Sequence, residues 1–450
     1  MTTQIPPTPP GGAAPPAPGA AAHAAGAAVP ELAPAEVEQW RSAGLGMPEL
    51  LSRVGRLGPV AGVRLNGRPT VLVTGPEAVQ HVLGRHPDRY VKRSHRGRIL
   101  LGDGVLSASG EAWRAQRRLL QSQFTGAGMR RWEQRIAAAA QDCAAQWAGH
   151  ADAGRTVDLR EEMHRFALDT IWRSLTGHPL DDRSASELTA LEAVVAVLPV
   201  LPANAEDARS AVAGELARID AVAHGAIAAA RSAPPGPHGP GLLHVLLAAA
   251  RDRPEYSDRL IRDEFVTLMV AGHETTATTL TWLYLLLAAD PSARARALAA
   301  GPAGSPQRRT ALQALVSETL RLYPSAWLLP RHAAEDDLLT GFRIEAGSEV
   351  LVCPYLVHRD PELWPEPEVF DPRRFTVPGR RPADPGAYLP FGIGARACLG
   401  LQFALRETVA LLELLLPAFE VETVGPAPEP FFGMVVRPGA PVPAQLGRAG

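Results

Sequence analysis

Lysine is almost missing from this chain. Of its 45 basic residues one is lysine, Lys92, and the rest are arginine. We read that bias, with the abundance of alanine and proline, as the mark of a GC-rich genome rather than of a mechanism. Net charge is nearly missing too, because 47 acidic residues leave a formal −2. A protein held to nucleic acid by bulk charge would be clearly basic, so that class is excluded. Cysteine is scarce: Cys143, Cys353 and Cys398. Three thiols cannot form a disulfide framework, and the odd count points to a reducing compartment with room for one functional thiolate. No basic-then-apolar leader opens the sequence, and no run of about 20 apolar residues occurs. The most apolar stretches, such as Leu280–Ala289, are too short to span a bilayer. The expectation is a cytoplasmic protein with no membrane anchor.

What is present is mostly helical pattern. At roughly 150 residues per domain, the length allows three domains or one large one. Residues 1–30 hold ten Ala, eight Pro and four Gly. Such a segment buries too little surface to offset its ordering entropy, so a disordered tail is expected. A short helix over Pro34–Ala43 precedes Val60–Leu65 and Thr70–Val73, which flank Asn66-Gly67, a strong hairpin signal. A helix opens at Gly75-Pro76 and runs through Leu83, and residues 91–110 read as a loop. From Gly110 to Gly301 the chain reads as mostly helical, with breaks at Gly177-His178-Pro179, Pro199–Pro202 and Ala233–Gly241. Ser257–Ala289 is the longest unbroken helical pattern, stopped by Asp290-Pro291. Another helix covers Arg309–Tyr323. Leu338–Ile344 and Glu349–Val352 alternate like strands, and Pro361–Pro385 is irregular. Leu401–Leu416 is an apolar helix, and Val421–Pro443 reads as short strands and turns. No internal repeat is found. The expected fold is mainly α with small β-sheets, as one domain over residues 31–450 behind the tail.

The loop Phe391-Gly392-Ile393-Gly394-Ala395-Arg396-Ala397-Cys398-Leu399-Gly400 carries the first chemistry. A cysteine just ahead of a helix is placed to be a thiolate, because unpaired N–H groups and the helix dipole favour the anion. Gly392, Gly394 and Gly400 allow φ > 0 or close backbone approach. A buried small hydrophobe in a Gly-rich turn explains this loop equally well. On the long helix, Leu268, Ala271, Gly272, Thr275 and Thr279 fall on one stripe of period 3.6. Small residues there let a flat ring approach, and a threonine hydroxyl can bond the carbonyl four residues back and bend the helix.

The spacing Phe-x-x-Gly-x-Arg-x-Cys-x-Gly resembles the haem-binding signature of the cytochrome P450 family. Four further motifs follow the family's order. Trp113-Arg114-Ala115-Gln116-Arg117 resembles its Trp-x-x-x-Arg helix. Ala271-Gly272-His273-Glu274-Thr275-Thr276 resembles its oxygen-activation motif. Glu318-Thr319-Leu320-Arg321 resembles its Glu-x-x-Arg helix, and Phe370-Asp371-Pro372-Arg373-Arg374-Phe375 its meander. The resemblance covers nearly the whole chain after the tail. It implies the P450 fold, with haem b (iron protoporphyrin IX) between the long central helix and the cysteine-loop helix. Cys398 would be the axial iron ligand, whose thiolate favours O–O cleavage. Cys143 and Cys353 would be inert core residues. Thr275 and Glu274 would deliver protons, and His273 would face away. Trp113, Arg117, Arg331 and Arg396 would hold the propionates, with Ala271, Gly272, Phe391, Gly392 and Gly400 against the ring. Many soluble bacterial members carry His where this chain carries Arg396. Glu318, Arg321 and Arg374 would form a buried structural network.

The resemblance also frames substrate and partners. Leu100, Leu101, Leu106, Leu268, Ala271, Trp327, Leu328 and Met434 fall at family pocket positions. No carboxylate or lysine is among them, which suits an apolar small molecule. Arg96 and Arg98 border the pocket and could meet a propionate or a substrate carboxylate. Arg321 to Arg331 looks like members that oxidise terpenoids; a fatty-acid or polyketide hydroxylase is the alternative. A haem-thiolate isomerase, dehydratase or peroxygenase, or a non-catalytic haem sensor, fits less well, because Glu274-Thr275 is intact. After Gly400 only 50 residues remain, too few for a fused reductase. Electrons are therefore expected from a separate ferredoxin and ferredoxin reductase, beside O2 as co-substrate. Arg114, Arg118, Arg130 and Arg131 form either a ferredoxin-docking face or a solvated charged one.

Overall fold

The computed structural model describes residues 26–65, 67–93, 96–202, 204–232 and 234–449. Most of the Ala/Pro/Gly tail and Asn66 lie outside them. The end of that tail is tied down: Gly26 and Ala27 N–H groups donate to the Gly341 carbonyl, and Gly62 N–H donates to the Pro30 carbonyl at 2.7 Å.

The chain sorts into two compact units. The first comprises residues up to Arg93, Ser317–Cys398 and Val435–Arg437. Its frame is a five-stranded sheet in the order Val60–Leu65, Arg68–Val73, Glu349–Val352, Leu329–Ala333, Tyr90–Val91. The expected hairpin is there, with Val60 opposite Val73. Glu349–Val352 joins it in parallel, Thr70 beside Glu349. The strand Leu329–Ala333 was not apparent from sequence, because Pro330 lacks an N–H and masks the pattern. Val60, Val71, Val73, Val350 and Val352 pack with Val79, Val82 and Leu389 into one core.

The second unit holds Ser94–Val316, Leu399–Met434 and Pro438–Gly450. Its axis is the central helix, Asp258–Ala289. Ser257 caps it by accepting the Leu260 N–H, and Pro291 follows Asp290 to end it. This helix is buried around most of its circumference, as a helix surrounded by other helices must be. Leu159–Thr176, Ala213–Ser232 and Leu401–Ala418 supply neighbours. Phe265, Leu268 and Met269 share a core with Ile171, Trp172, Leu175 and Phe403. Thr156–Asp158 pairs with Pro443–Arg448, which pairs with Phe419–Thr423.

Two segments differ from expectation. Residues 91–110 were expected to be loop throughout, yet Gly97–Leu101 is helical. Its Ile99, Leu100 and Leu101 are buried, and that burial outweighs the Gly and Arg around them. Met47–Gly55 is a further helix. Leu50, Leu51 and Val54 lie on its buried face, a helical spacing too short to stand out in the sequence.

Candidate active site

Cys398 closes a tight loop in the first unit. Gly392 and Gly394 have φ of 64° and 74°, a region that only glycine enters without strain. A Cβ on Gly394 would stand 2.1 Å from the Leu83 carbonyl oxygen, so the loop is seated directly on His81–Arg85. Gly400 has a φ of −88°, a region open to any residue, and caps the next helix. The Cys398 N–H donates to the Phe391 carbonyl at 2.8 Å. The cysteine is exposed and stands three residues ahead of Leu401, where Leu401–Ala418 begins and amide dipoles favour a thiolate. The other two thiols are buried. Burial raises Cys143 far above its ordinary value and pushes Cys353 up to about 12. Of the three, Cys398 is the one built to ligate or react.

The residues expected to form a network do meet. Arg321 donates to both Glu318 oxygens at 2.8 Å, and Arg374 Nε donates to Oε1 at 3.3 Å. The Asp371 N–H adds a donor at 2.9 Å. Arg321 also reaches the carbonyls of His358, Pro367 and Val369 at 2.9, 2.6 and 3.0 Å. One guanidinium thereby fixes three points of the coil that leads to the cysteine loop. His358 continues the chain of contacts: its Nε2 accepts the Leu389 N–H at 2.7 Å, and the Leu389 carbonyl accepts the Gly392 N–H at 3.0 Å. Burial, with Arg321 and Arg359 beside it, lowers His358 to about 3, so the ring is neutral and can accept. Sequence reading missed His358, which carries no local signal.

Arg331 and Arg396 belong to the same unit, and Lys92 joins them. Val91 pairs with His332 across the antiparallel strands, which brings Lys92 abreast of Arg331 one step on. Burial, then Arg331, then Arg396 push the Lys92 ammonium down to about 7. Burial lowers Arg331 to about 10. Cations crowded in this way call for an anion, and guanidinium forks suit carboxylates. The donor chemistry fits haem: a cysteine sulfur ahead of a helix for iron, and cations for two propionates. The signal for Lys92 was in plain view, since it is the one lysine of the chain.

The central helix carries the second half of the motif set. Thr275 Oγ1 donates to the Ala271 carbonyl at 3.0 Å, the back-bond expected from sequence. Ala271 is exposed, while Gly272, Glu274 and Thr275 are half-buried. This is a short accessible stretch on a helix that is otherwise enclosed. Gly272 has a packing reason for its size: a Cβ would lie 2.9 Å from Ile171 Cγ1. His273 is buried core, with Nδ1 at 2.6 Å from the Met269 carbonyl and its ring edge-on to His164. Thr276, next to Thr275, donates at 2.6 Å to Glu407 Oε1. Glu407 is fully buried, and burial holds it well above the usual carboxylate range. Sequence reading missed this acid, because nothing in an apolar helix marks a glutamate as inward-facing.

Trp113 and Arg117 sit half-buried on Gly110–Gln121, where Arg117 Nε points to Gln121 Oε1 at 3.4 Å. Among the pocket candidates, Leu100, Leu101 and Leu268 share one core cluster with Leu106 packed on it. Trp327 is buried, Leu328 half-buried and Met434 exposed. Arg118, Arg130 and Arg131 are exposed, while Arg114 pairs with Glu111 at 2.6 Å.

Comparison with known proteins identifies the family. The family model for cytochrome P450 matches residues 52–443. Cyclooctatin synthase of Streptomyces melanosporofaciens is 30% identical over 377 residues, covering 79% of this chain and 81% of the relative. Cyclooctat-9-en-7-ol 5-monooxygenase of the same organism is 28% identical over 401 residues, covering 82% and 83%. Among solved structures, the cytochrome P450DA heme domain superposes with a TM-score of 0.79 at 26% identity, covering 94% of this chain and 97% of that one. A P450 from Thermus thermophilus gives 0.72 at 28%, covering 93% and 100%. The chain belongs to the cytochrome P450 family. It has the P450 fold and is a P450 monooxygenase, and the family implies haem, O2 and an organic substrate. Among the described residues no helix is long and apolar enough to cross a membrane.

Proposed function

We propose that this protein inserts one atom of O2 into an apolar terpenoid-like metabolite in the bacterial cytoplasm, with electrons from a separate ferredoxin and its reductase. The observation that carries the reading is Cys398, exposed in a two-glycine loop and clamped by the Glu318–Arg321–His358 relay. Cys398 ligates the iron of haem b, and Trp113, Arg117, Arg331 and Arg396 hold its propionates. Bound haem supplies the O2-activating chemistry, which thiolate donation favours. Phe391, Gly392, Gly400, Ala271 and Gly272 are the residues assigned to the ring. A hydroxyl that donates to a carbonyl accepts through its oxygen, so Thr275 orients a proton-bearing partner while Glu274 relays the proton. Leu100, Leu101, Leu106, Leu268, Trp327, Leu328 and Met434 bind substrate by burial. The terpenoid class is supported by relatives named for cyclooctatin and cyclooctat-9-en-7-ol. Residues 31–450 act as one catalytic domain. Exposed Arg118, Arg130 and Arg131 are the surface offered to an acidic ferredoxin.

The test is spectroscopic. Reduced protein under CO is expected to show the long-wavelength Soret band of thiolate ligation, and Cys398→Ala to lose it. A well-folded wild type without that band overturns the assignment. Thr275→Ala is expected to keep substrate binding but to divert NAD(P)H from product, and full coupling would remove Thr275 from the mechanism.

A further inference from the structure

Hydrogen bonds join the loop that precedes Gly110–Gln121 to the central helix and to Gln116. Arg262 donates to the Leu100 carbonyl at 2.9 Å. Asp263 Oδ2 accepts the Asp103 N–H at 2.9 Å, and Glu264 Oε2 accepts the Val105 N–H at 3.0 Å. Gln116 donates to the Asp103 carbonyl at 2.9 Å from the other side. Three consecutive helical residues therefore bind three points of the backbone at 100, 103 and 105.

The intervening glycines make this possible. A Cβ on Gly102 would lie 2.1 Å from Asp263 Oδ2, and one on Gly104 would lie 2.2 Å from Thr267 Oγ1. Asp263 and Glu264 are buried, at 3% and 0% exposure. An acid pair costs heavily at such burial unless its bonds are needed. Arg262 balances Asp263 at 2.9 Å. Among the described residues Glu264 has no cation; its Oε1 and the hydroxyls of Thr267, Ser107 and Tyr256 are buried without a partner. Burial and the neighbouring Asp263 push Glu264 up to about 8, so it is neutral at physiological pH and glutamine can replace it.

We propose that Asp263 and Glu264 are positioning residues that staple the backbone of residues 100–105 to the central helix and so set the shape of the pocket lined by Leu100, Leu101 and Leu106. The pocket role of these leucines rests on the function proposed above; the staple itself does not.

Hydrogen exchange and ligand titration of the haem-loaded protein separate the two. In Glu264→Leu the Val105 amide is expected to exchange roughly tenfold faster, as loss of a bond of this class allows. 4-Phenylimidazole, whose phenyl group must enter the pocket, is expected to bind about tenfold more weakly, while imidazole binds as in wild type. Glu264→Gln should restore both, because its carbonyl accepts and its amide donates. Unchanged exchange in Glu264→Leu, or failure of Glu264→Gln to restore it, overturns the staple. Faster exchange with no change in the 4-phenylimidazole-to-imidazole ratio overturns its role in the pocket. If Glu264→Leu does not fold, Gly104→Ala makes the same measurement by pushing the loop off Thr267. Loss of imidazole binding in wild type would instead count against the haem reading.

Discussion

Two buried glutamates show how differently the units use the same side chain. Glu318 in the first unit accepts from Arg321, Arg374 and the Asp371 N–H, and neither oxygen lacks a donor. Glu264 in the second unit has one hydrogen bond and one oxygen without a partner. Both are completely buried. The first is a charge bound to charges and ties together coil that has no regular structure of its own. The second is an acid that burial keeps protonated, bonded to the loop of residues 100–105. In the first unit charge is matched by charge, and in the second a neutral acid holds the loop through one hydrogen bond.

Replacing glutamate by glutamine at both positions tests that contrast most strongly. Glu318→Gln strands two guanidinium groups in the interior and is expected to cost about 3–5 kcal/mol. Urea unfolding should show the loss, together with failure to retain haem, because the relay to Leu389 and Gly392 depends on Arg321. Glu264→Gln is expected to stay within about 1 kcal/mol of wild type. Equal losses at the two sites would dissolve the comparison.

The loops the two acids serve can be compared by adding a single methyl group. Gly394→Ala drives a Cβ to 2.1 Å from the Leu83 carbonyl and also forces a left-handed φ on alanine. Gly104→Ala meets the Thr267 hydroxyl at 2.2 Å and the Asp263 carbonyl at 2.7 Å. Overpacking of this kind costs about 1–3 kcal/mol. Gly394→Ala is expected at or above the upper end, with loss of the thiolate CO spectrum. Gly104→Ala should lie lower and leave that spectrum intact. Thermal unfolding and CO difference spectra separate the two outcomes.

This contrast also explains what could be read from the sequence. The central helix was legible almost to the residue, because a serine cap, 32 residues of helical pattern and Asp290-Pro291 mark it locally. Glu318, Arg321 and Arg374 were legible as a motif, but His358 was not, since its partner Leu389 lies 31 residues away. Gly102 and Gly104 read as loop composition; their role appears only once Asp263 and Thr267 are beneath them. Lys92 was visible as an oddity of composition. Its meaning waited on the register that sets Tyr90–Val91 against Leu329–Ala333. Local patterns disclose elements, whereas buried polar pairs between distant segments leave no period behind.

The pH dependence gives a finer test. Glu264 is raised from 4.5 to about 8, so the folded state favours its protonated form. The stability it contributes is complete below pH 4.5 and is lost as pH rises through about 8. Asp263 and Arg262 on its own helix, Asp103 on the loop and Tyr256 are the other titratable groups around it. Wild type is therefore expected to lose stability progressively between about pH 4.5 and 8. Glu264→Gln should flatten that limb. A mutant that keeps the full loss would assign it to another group.

A further test falls at Glu407, the second acid whose carboxyl burial raises. Thr276 donates to its Oε1 at 2.6 Å, and Oε2 has no partner. Glu407→Gln preserves the acceptor and should change stability by less than about 1 kcal/mol. Glu407→Leu removes the acceptor and leaves the Thr276 hydroxyl unpartnered one residue from Thr275, at about 1–3 kcal/mol. If Glu407 is a neutral packing partner like Glu264, Thr276→Val combined with Glu407→Leu should recover most of that loss, since both polar groups are then gone together. If Glu407 instead behaved as a charge, like Glu318, Glu407→Gln alone would be costly and the double mutant would recover nothing.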